Sequence, residues 1–441
     1  MMDAAIQVLP KNQRDRLLEQ IPSLPSAWRL SKLRHAFNFN KGLTITKENL
    51  QEKGIPCVNY GEVHSKYGFE VDPSRHPLKC VDVSYIKNNH ASLLNRGDFI
   101  FADTSEDIEG SGNFTSFNSD EQAFAGYHTL IAKPKVPMNA RFMAYLIDSR
   151  SFRAQVQTEV KGVKVFSISQ AVLKPTVVWF PPSNEQDAIA AFLDDKCAKI
   201  DGAVKIKENQ IALLRERRQI IIQEAVTRGL NPAATLKDSG IEWIGKIPAH
   251  WEVKRNKHMF VEINERSAKG AEQHLSMSQK LGLVPANLVE KSLVSESYEG
   301  AKLVQAGDLV LNRLKAHLAV FSIAPMEGLV SPDYSVFRPF VAGASSRYYE
   351  SLFKTSKYLG EFRLRVRGIV EGFYRLYTDS FMDIPLLIPP KDEQDEIVDR
   401  LDMLSAKFED AISMKNAQIA ALKEYKTSLI NAAVTGKIKV I

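Results

Sequence analysis

Two segments of the chain carry apolar side chains at alternating steps of four and three residues. They cover residues 190–221 and 398–429. A heptad pattern kept for more than four heptads is typical of a helix that buries one seam against another helix. At 1.5 Å per residue, each seam is about 48 Å long. We therefore predict two long helices with a coiled-coil seam at Leu193, Ile200, Val204, Ile211 and Leu214 of the first and Leu401, Phe408, Ile412, Ile419 and Leu422 of the second.

The two helical segments are copies of each other. The sequence Pro-Pro-Ser-Asn-Glu-Gln-Asp at residues 181–187 returns as Pro-Pro-Lys-Asp-Glu-Gln-Asp at residues 389–395, a shift of 389 − 181 = 208. The match continues without insertion to Ala-Val-Thr at the far end of both segments. A repeat of this length indicates one structural unit used twice. We interpret each double proline as a joint between a strand and a helix, with Asn184 and Asp392 as the helix N-caps.

The segments that precede the helices show a different pattern. Residues 28–180 and 251–388 alternate short apolar runs with clusters of Gly, Pro, Asn and Asp. This mixture indicates an α+β fold with two mixed α/β globules. We expect strands at residues 98–102, 129–132, 176–180, 308–311, 334–337 and 384–388, and helices near residues 140–157 and 346–363.

The length of 441 residues exceeds what one hydrophobic core usually serves. We expect the long helices to pair with each other as an antiparallel coiled coil, in an internal repeat with pseudo-two-fold character that holds the two globules a fixed distance apart. The alternative is that each helix packs on its own globule or against a partner chain. The predicted divisions are an N-terminal helical segment (1–24), a first globule (25–180), a central helical region (181–232), a second globule (233–388) and a C-terminal helical region (389–441).

Composition and charge narrow the class of protein. The sequence has no apolar run long enough to span a bilayer. We expect no secretory signal, because the first twenty residues contain several charged side chains and no long apolar stretch. Cys57, Cys80 and Cys197 are far apart and odd in number, which favours the reducing cytoplasm over a disulfide framework. The formal net charge of +6 permits nucleic-acid binding without establishing it.

The sequence lacks the motifs of catalysis. It contains no GxxxxGK[ST] phosphate loop, and residues 110–112, Gly-Ser-Gly, lack the strand-turn-helix context of a dinucleotide loop. The nine histidines are scattered, with no pair at metal-ligand spacing. We therefore expect no catalytic residue, metal or cofactor in this chain. One acidic cluster is interpreted as a solvated loop rather than a cation site: Asp103, Glu106, Asp107 and Glu109.

Cationic and polar side chains recur at matching places in the two globules. Residues 363–367, Arg-Leu-Arg-Val-Arg, would present three guanidinium groups on one face of a strand, a layout suited to phosphates or guanine edges. Each such stretch alone would be an ordinary solvated face, but their recurrence favours DNA contact. The candidate DNA-binding residues are Thr104, Ser105, Lys161, Lys164, Asn312, Arg313, Lys315, His317, Arg363, Arg365, Arg367 and Arg375.

The sequence resembles the specificity (S) subunit of type I restriction-modification systems over nearly its whole length. The resemblance is carried by residues 238–251, Asp-Ser-Gly-Ile-Glu-Trp-Ile-Gly-Lys-Ile-Pro-Ala-His-Trp, and by the Pro-Pro-x-x-Glu-Gln heads of both helices. The order globule, helix, globule, helix is also that of the family. Residues 25–28, which open the first globule, lack the upstream Ser-Gly-Ile-Glu-Trp stretch and so depart from the pattern.

The resemblance implies a non-catalytic reader of double-stranded DNA. Each globule would be a target-recognition domain for one half of a two-part DNA sequence, and the helices would space the domains and dock two modification subunits. Those subunits would bring S-adenosylmethionine and methylate adenines, and restriction subunits that use ATP and Mg²⁺ would join them. This chain itself would bind no cofactor.

Two other functions are compatible with the sequence. A coiled-coil protein-binding adaptor without DNA recognition would show no DNA footprint with any partner. The detached recognition part of a single-chain restriction-methylation enzyme is a further alternative, and the missing methyltransferase and nuclease motifs count against it. The bases read by either globule depend on loop geometry, which composition does not give.

Overall fold

Two compact units make up the chain, and each contains one globule with part of both long helices. The computed structural model describes residues 23–162, 165–278, 281–289, 297–341, 343–368 and 374–440. The first unit comprises residues 1–207 and 417–441, and the second comprises residues 208–416. Lys164 lies outside the described residues, as does all of the predicted N-terminal helical segment except residues 23 and 24.

A five-stranded sheet forms the centre of the first unit. The strands of this unit are β1 (Arg29–Lys32), β2 (Phe37–Lys41), β3 (Ile55–Val58), β4 (Phe69–Val71), β5 (Cys80–Val81), β6 (Leu93–Leu94), β7 (Phe99–Ala102), β8 (Thr104–Ser105), β9 (Phe114–Phe117), β10 (Ala123–Ala125), β11 (Thr129–Pro134), β12 (Phe166–Ser167) and β13 (Val177–Phe180). The central sheet has the order β2-β11-β7-β9-β4, and a smaller sheet has the order β5-β3-β10-β6. Strands β1 and β13 pair antiparallel, as do β8 and β12.

The central strand β7 is buried on both faces because a different layer covers each face. Phe99 and Phe101 point into the core that contains the helices, whereas Ile100 and Ala102 point into the core beneath the smaller sheet. The helices of the unit are α1 (Leu33–Ala36), α2 (Ala140–Asp148), α3 (Arg150–Glu159), α4 (Gln170–Leu173) and the first long helix, α5 (Ser183–Arg228). Short 3₁₀ turns cover Lys47–Asn49, Val83–Lys87 and His90–Ser92, and a π turn covers Glu62–Lys66.

The second unit repeats the central part of this arrangement. Its strands are β14 (Leu236–Asp238), β15 (Lys246–Pro248), β16 (Glu252–Arg255), β17 (Phe260–Ile263), β18 (Leu275–Ser278), β19 (Gly282–Pro285), β20 (Lys302–Val304), β21 (Leu309–Asn312), β22 (Phe321–Ile323), β23 (Gly328–Val330), β24 (Tyr334–Pro339), β25 (Arg367–Gly368), β26 (Tyr374–Arg375) and β27 (Pro385–Ile388). The sheet order β17-β24-β21-β22 corresponds to β2-β11-β7-β9, and the β16–β27 pair corresponds to β1–β13. Leu309 and Leu311 of β21 face the helical core, and Val310 faces the opposite core.

The helices of the second unit occupy the same places along the chain as those of the first. They are α6 (Ser346–Phe353), α7 (Ser356–Arg365), α8 (Thr378–Met382) and the second long helix, α9 (Lys391–Val434), with 3₁₀ turns at Asn256–His258, Ala286–Leu288 and Ala316–Leu318. None of the described helices is long and apolar enough to cross a membrane.

The two long helices run antiparallel within each unit, which confirms the predicted pairing. In the first unit the Val434 carbonyl, at the end of α9, lies next to β13, which leads into α5, and Lys426 pairs with Asp201 further along α5. In the second unit Arg218 pairs with Glu409. In an antiparallel pair, partners in one register have residue numbers with a constant sum. Both ion pairs have the same register, because 201 + 426 = 627 and 218 + 409 = 627.

The predicted seam positions of the long helices are shielded from solvent to different degrees. Leu214, Phe408 and Leu422 are half-buried. The remaining positions are buried: Leu193, Ile200, Val204, Ile211, Leu401, Ile412 and Ile419.

The first turn of each long helix contacts its globule through a hydrogen bond between a tryptophan and a glutamate. The Trp28 indole donates to Glu185 Oε2 at 3.0 Å, and the Trp251 indole donates to Glu393 Oε2 at the same distance. Both indoles are buried. The Glu of the repeated Pro-Pro-x-x-Glu-Gln sequence therefore satisfies a polar group that burial would otherwise leave without a partner.

The adjacent glutamine connects three elements. Gln186 donates from Nε2 to the Pro181 carbonyl (2.9 Å) and accepts at Oε1 from the Asn139 amide at the start of α2 (3.0 Å). In the second unit Gln394 donates to the Pro389 carbonyl and accepts from the N-cap amide of α6, both at 2.9 Å. The repeated sequence thus fixes the strand, the long helix and the globule to one another.

Most local predictions are confirmed, but the two helices within the globules and the N-caps of the long helices differ from the prediction. The helix predicted near residues 140–157 is two helices, because Ser149 is extended and its hydroxyl accepts from the Phe152 amide to cap α3; the helix predicted near residues 346–363 is likewise split at Thr355. Asn184 and Asp392 are not N-caps. Helix α5 already starts at Ser183, because the Pro182 carbonyl accepts the first helical amides, and α9 likewise starts one residue before Asp392.

Candidate nucleic-acid interface

A Gly-Asp turn leads into the central strand of each sheet. Gly97 and Gly307 have φ angles of 90° and 92°, which glycine adopts without the strain of a Cβ. Asp98 Oδ2 accepts from the amide three residues earlier at 2.9 Å, and Asp308 Oδ2 does the same at 2.8 Å. The two turns therefore start β7 and β21 in the same way.

The residues just beyond these strands are Asp103 in the first unit and Arg313 in the second. The Asp103 carbonyl accepts from the Ile168 amide at 2.7 Å, and the Arg313 carbonyl accepts from the Leu376 amide at 2.9 Å. Because Ile168 and Leu376 are separated by the repeat shift of 208, these bonds show that Asp103 and Arg313 hold equivalent positions.

In the second unit, cationic side chains follow this position. Arg313 is held by its Nε, which donates to the Asp333 carbonyl at 2.8 Å, while its terminal nitrogen lies 3.9 Å from the Asp333 carboxylate. Lys315 is exposed, and Asn312 accepts at Oδ1 from the Leu314 amide at 3.1 Å. The guanidinium of Arg313 is therefore oriented before any ligand arrives.

His317 lies beside the exposed ring of Tyr374, with 6.2 Å between ring centroids in an edge-on arrangement. Burial and the nearby positive charge of Arg363 lower the pKa of His317 below its usual value, so the imidazole is neutral near pH 7. Arg363 Nε donates to the His317 carbonyl at 3.4 Å and is exposed. These residues contribute a cation, an uncharged imidazole and an aromatic face to one surface.

The prediction of a strand over residues 363–367 is wrong. Arg363 and Arg365 belong to α7, and only Arg367 lies in a strand, β25. The helix forms because Tyr358 and Phe362, one helical turn apart, are buried in the core of the unit. Arg365 forms an ion pair with Glu361 at 2.6 Å, so a carboxylate of the same helix neutralises its charge.

Two arginines face each other on the short strands β25 and β26, which pair antiparallel after α7. Arg367 and Arg375 are directly opposite partners on β25 and β26. Like charges at opposite positions repel each other. Arg367 is compensated in part by Asp379 at 3.4 Å and lies 6.0 Å from the centre of the Tyr377 ring. This strand pair therefore concentrates positive charge that an anionic ligand would stabilise.

The corresponding surface of the first unit is less basic. Ser105 is fully buried, and its hydroxyl is within 3.4 Å of both His64 Nε2 and the Asp107 amide, so it supports the loop and does not face a ligand. Thr104 is half-buried on β8, and Lys161 is exposed opposite Ser167. The acidic cluster is a loop, and no group of ligands for a metal occurs among the described residues.

Sequence reasoning missed some residues of these surfaces. Lys302 is nearly buried, 3.9 Å from Glu262, and burial lowers its pKa. His64 stacks on Tyr60 beside Ser105, with ring centroids 5.0 Å apart. The burial of Lys302 and the approach of His64 to Ser105 depend on contacts between distant segments, so no local pattern in the sequence indicates them.

The comparisons with known proteins agree with this architecture. Residues 25–212 match the family model described as Type I restriction modification DNA specificity domain. The chain is 23% identical to the putative type I restriction enzyme MjaX specificity subunit of Methanocaldococcus jannaschii, over 96% of both chains. It is 21% identical to the type I restriction enzyme EcoKI specificity subunit of Escherichia coli, over 94% of this chain and 90% of the relative.

Solved structures share the fold. A chain from a structure described as the basis of complex assembly and conformational transition of the type I R-M system matches with a TM-score of 0.68 and 15% identity, over 95% of this chain and 100% of that chain. The HsdS subunit from Thermoanaerobacter tengcongensis matches with a TM-score of 0.52 and 14% identity, over 95% and 99%. The chain thus contains a match to the type I restriction modification DNA specificity domain over residues 25–212, and it is similar along nearly its whole length to specificity subunits of type I restriction enzymes.

Proposed function

We propose that this chain is the non-catalytic sequence reader of a type I restriction-modification complex, and that each globule contacts one half of a two-part double-stranded DNA target. The observation that carries the proposal is the duplication of one arrangement in both units. Each unit has a Gly-Asp turn, a central strand and a segment after that strand. The Ile168 or Leu376 amide holds this segment by a hydrogen bond, so that polar side chains lie at the same end of the sheet in both units.

Arginine and lysine side chains suit this role because they bind phosphates and donate to guanine edges in the major groove. The second unit supplies Arg313, Lys315, Arg363 and Arg375 at its surface, and the first supplies Lys161 and Thr104. Polar contacts of this kind position a protein on DNA, and a few of them read bases.

The partners follow from the same proposal. The paired long helices would dock two modification subunits, which would bind S-adenosylmethionine, and restriction subunits would add ATP and Mg²⁺ chemistry. This chain would hold no cofactor of its own and would work in the cytoplasm, where its three cysteines would stay reduced.

The test is an exchange of residues 25–180 for the matching region of a relative, followed by methylome sequencing of a host that also expresses the modification subunits. One half of the methylated target should change and the other should stay. A change in both halves would contradict modular reading. A complex that forms but neither methylates nor footprints DNA would favour the protein-binding adaptor.

A further inference from the structure

The two units carry different amounts of charge at equivalent positions, and this difference has a consequence for DNA. We propose that the second unit, through a basic surface of Arg313, Lys315, Arg363, Arg367 and Arg375, binds a guanine-containing half-site and supplies most of the phosphate contacts, whereas the first unit reads its half-site with little charge. The inference rests on the proposed function and adds which unit supplies the electrostatic binding.

The equivalence of the positions is fixed by backbone structure. Helices α3 and α7 start after Ser149 and Thr355, a shift of 355 − 149 = 206. The paired residues that follow are Lys161 with Ser167 and Arg367 with Arg375, which gives shifts of 367 − 161 = 206 and 375 − 167 = 208. The Gly-Asp turns set a shift of 307 − 97 = 210 for the segment after the central strand. The first-unit counterparts of the basic surface are therefore Asp103, Ser105, Gln157, Lys161 and Ser167.

The charge difference is large. The basic surface has five cations, whereas its counterpart has one cation and one carboxylate, so the formal charges are +5 and 1 − 1 = 0. Neighbouring carboxylates do not cancel this difference, because Asp333 and Asp379 each approach only one of the five cations. In the first unit the nearby acidic loop adds further negative charge.

Three features of the basic surface indicate a ligand that is anionic and rich in acceptors. Arg367 and Arg375 face each other on β25 and β26, although like charges there are unfavourable without a counter-charge. The hydrogen bond that holds Arg313 comes from Nε, and its terminal nitrogens make no hydrogen bond to Asp333, whose carboxylate lies 3.9 Å away; those nitrogens can form the bidentate pair that guanine O6 and N7 accept. Tyr374 adds an aromatic edge, 41% exposed, beside the cations.

The first test measures salt dependence with the assembled complex and a mixed-sequence DNA duplex. Replacing Lys315, Arg363 and Arg375 with Ala should lower the slope of log affinity against log salt by about 2 to 3, since each phosphate contact contributes about 0.9. The matched control replaces three exposed lysines of the same unit that lie outside the surface, Lys237, Lys254 and Lys257, and should leave the slope nearly unchanged.

A gain of charge in the first unit provides a reciprocal test. Ser167 is exposed and equivalent to Arg375, so Ser167→Arg should raise the slope by about 1 without depending on the loss of any contact. Equal slopes for the triple-Ala variant and its lysine control would overturn the inference, as would a Ser167→Arg slope equal to that of the unmodified complex.

The second test concerns bases. Selection from a random duplex library should yield guanine in the half-site that does not change when residues 25–180 are exchanged. Arg313→Ala should relax that position by about 5- to 150-fold, the range for one bidentate contact. A half-site without guanine, or an Arg313→Ala effect on the other half, would overturn the inference and leave the proposed function intact. If the unmodified complex selects no sequence, the proposed function itself fails.

Discussion

The Trp28 indole donates a hydrogen bond of 3.0 Å to Glu185, and this bond ties the first residues of the globule to the head of the long helix that follows it. The second unit repeats the bond between Trp251 and Glu393, where His250 Nε2 adds a contact of 2.7 Å to the same carboxylate oxygen. The two partners are 157 and 142 residues apart in sequence. In each unit the glutamate therefore connects the start of the globule to the start of the long helix that follows it.

Removal of this carboxylate should destabilise the unit that contains it. Glu393→Ala leaves the buried Trp251 indole without its acceptor, and we expect a loss of about 1–3 kcal/mol in the free energy of unfolding. Urea unfolding followed by tryptophan fluorescence measures it. Glu396→Ala, an exposed position on the same helix, is the matched control and should change stability by less than about 0.5 kcal/mol. Equal effects of the two variants would contradict this role.

Removal of Gln186, which follows Glu185 in the sequence, should destabilise the first unit at least as much. Gln186→Leu removes the partners of the Pro181 carbonyl and the Asn139 amide, so we expect a loss of about 2–4 kcal/mol and faster amide exchange at the start of α2. Thermal unfolding and hydrogen exchange measure the two effects. Asn209→Leu, the control, changes an exposed side-chain amide of α5 and should leave both nearly unchanged. Protection at α2 equal to that of the unmodified protein would argue against the bridge.

Two glycine substitutions, one in a Gly-Asp turn and one in a helix, should change the stability of the protein in opposite directions. Gly307 has a φ of 92°, and the space that a Cβ would occupy there is open, so Gly307→Ala should cost about 1–2 kcal/mol from backbone conformation alone. Gly360 lies within α7, also with open space, so Gly360→Ala should stabilise by about 0.5–1 kcal/mol. Melting temperatures of the two variants should therefore move in opposite directions, and a shared direction would contradict the conformational explanation.

A buried thiol should make stability fall at high pH. Burial, with the charge of Glu62 adding to it, raises the pKa of Cys57 from 9.0 to about 12. The folded state thus keeps the thiol proton in a range where the unfolded chain loses it, so the free energy of unfolding decreases as pH rises from 9 to 12. Cys57→Ala should flatten that part of the curve, measured by urea unfolding at several pH values. Rapid alkylation of Cys57 in the native protein near pH 9 would contradict its burial.

The sequence alone determined the features that depend on local periodicity and on internal repetition. The heptads indicated the long helices, the shift of 208 indicated their equivalence, and alternating apolar runs indicated the central strands, because each of these patterns is readable within one segment. Tertiary structure decided the rest. Residues 363–365 are helical because Tyr358 and Phe362 are buried in a core built from distant strands, which outweighs the strand-like alternation of arginine and apolar residues. The Gly-Asp turns in the sequence already align Asp103 with Arg313. The hydrogen bonds from the Ile168 and Leu376 amides, which hold these two positions in the same place, join distant segments and are visible only in the structure.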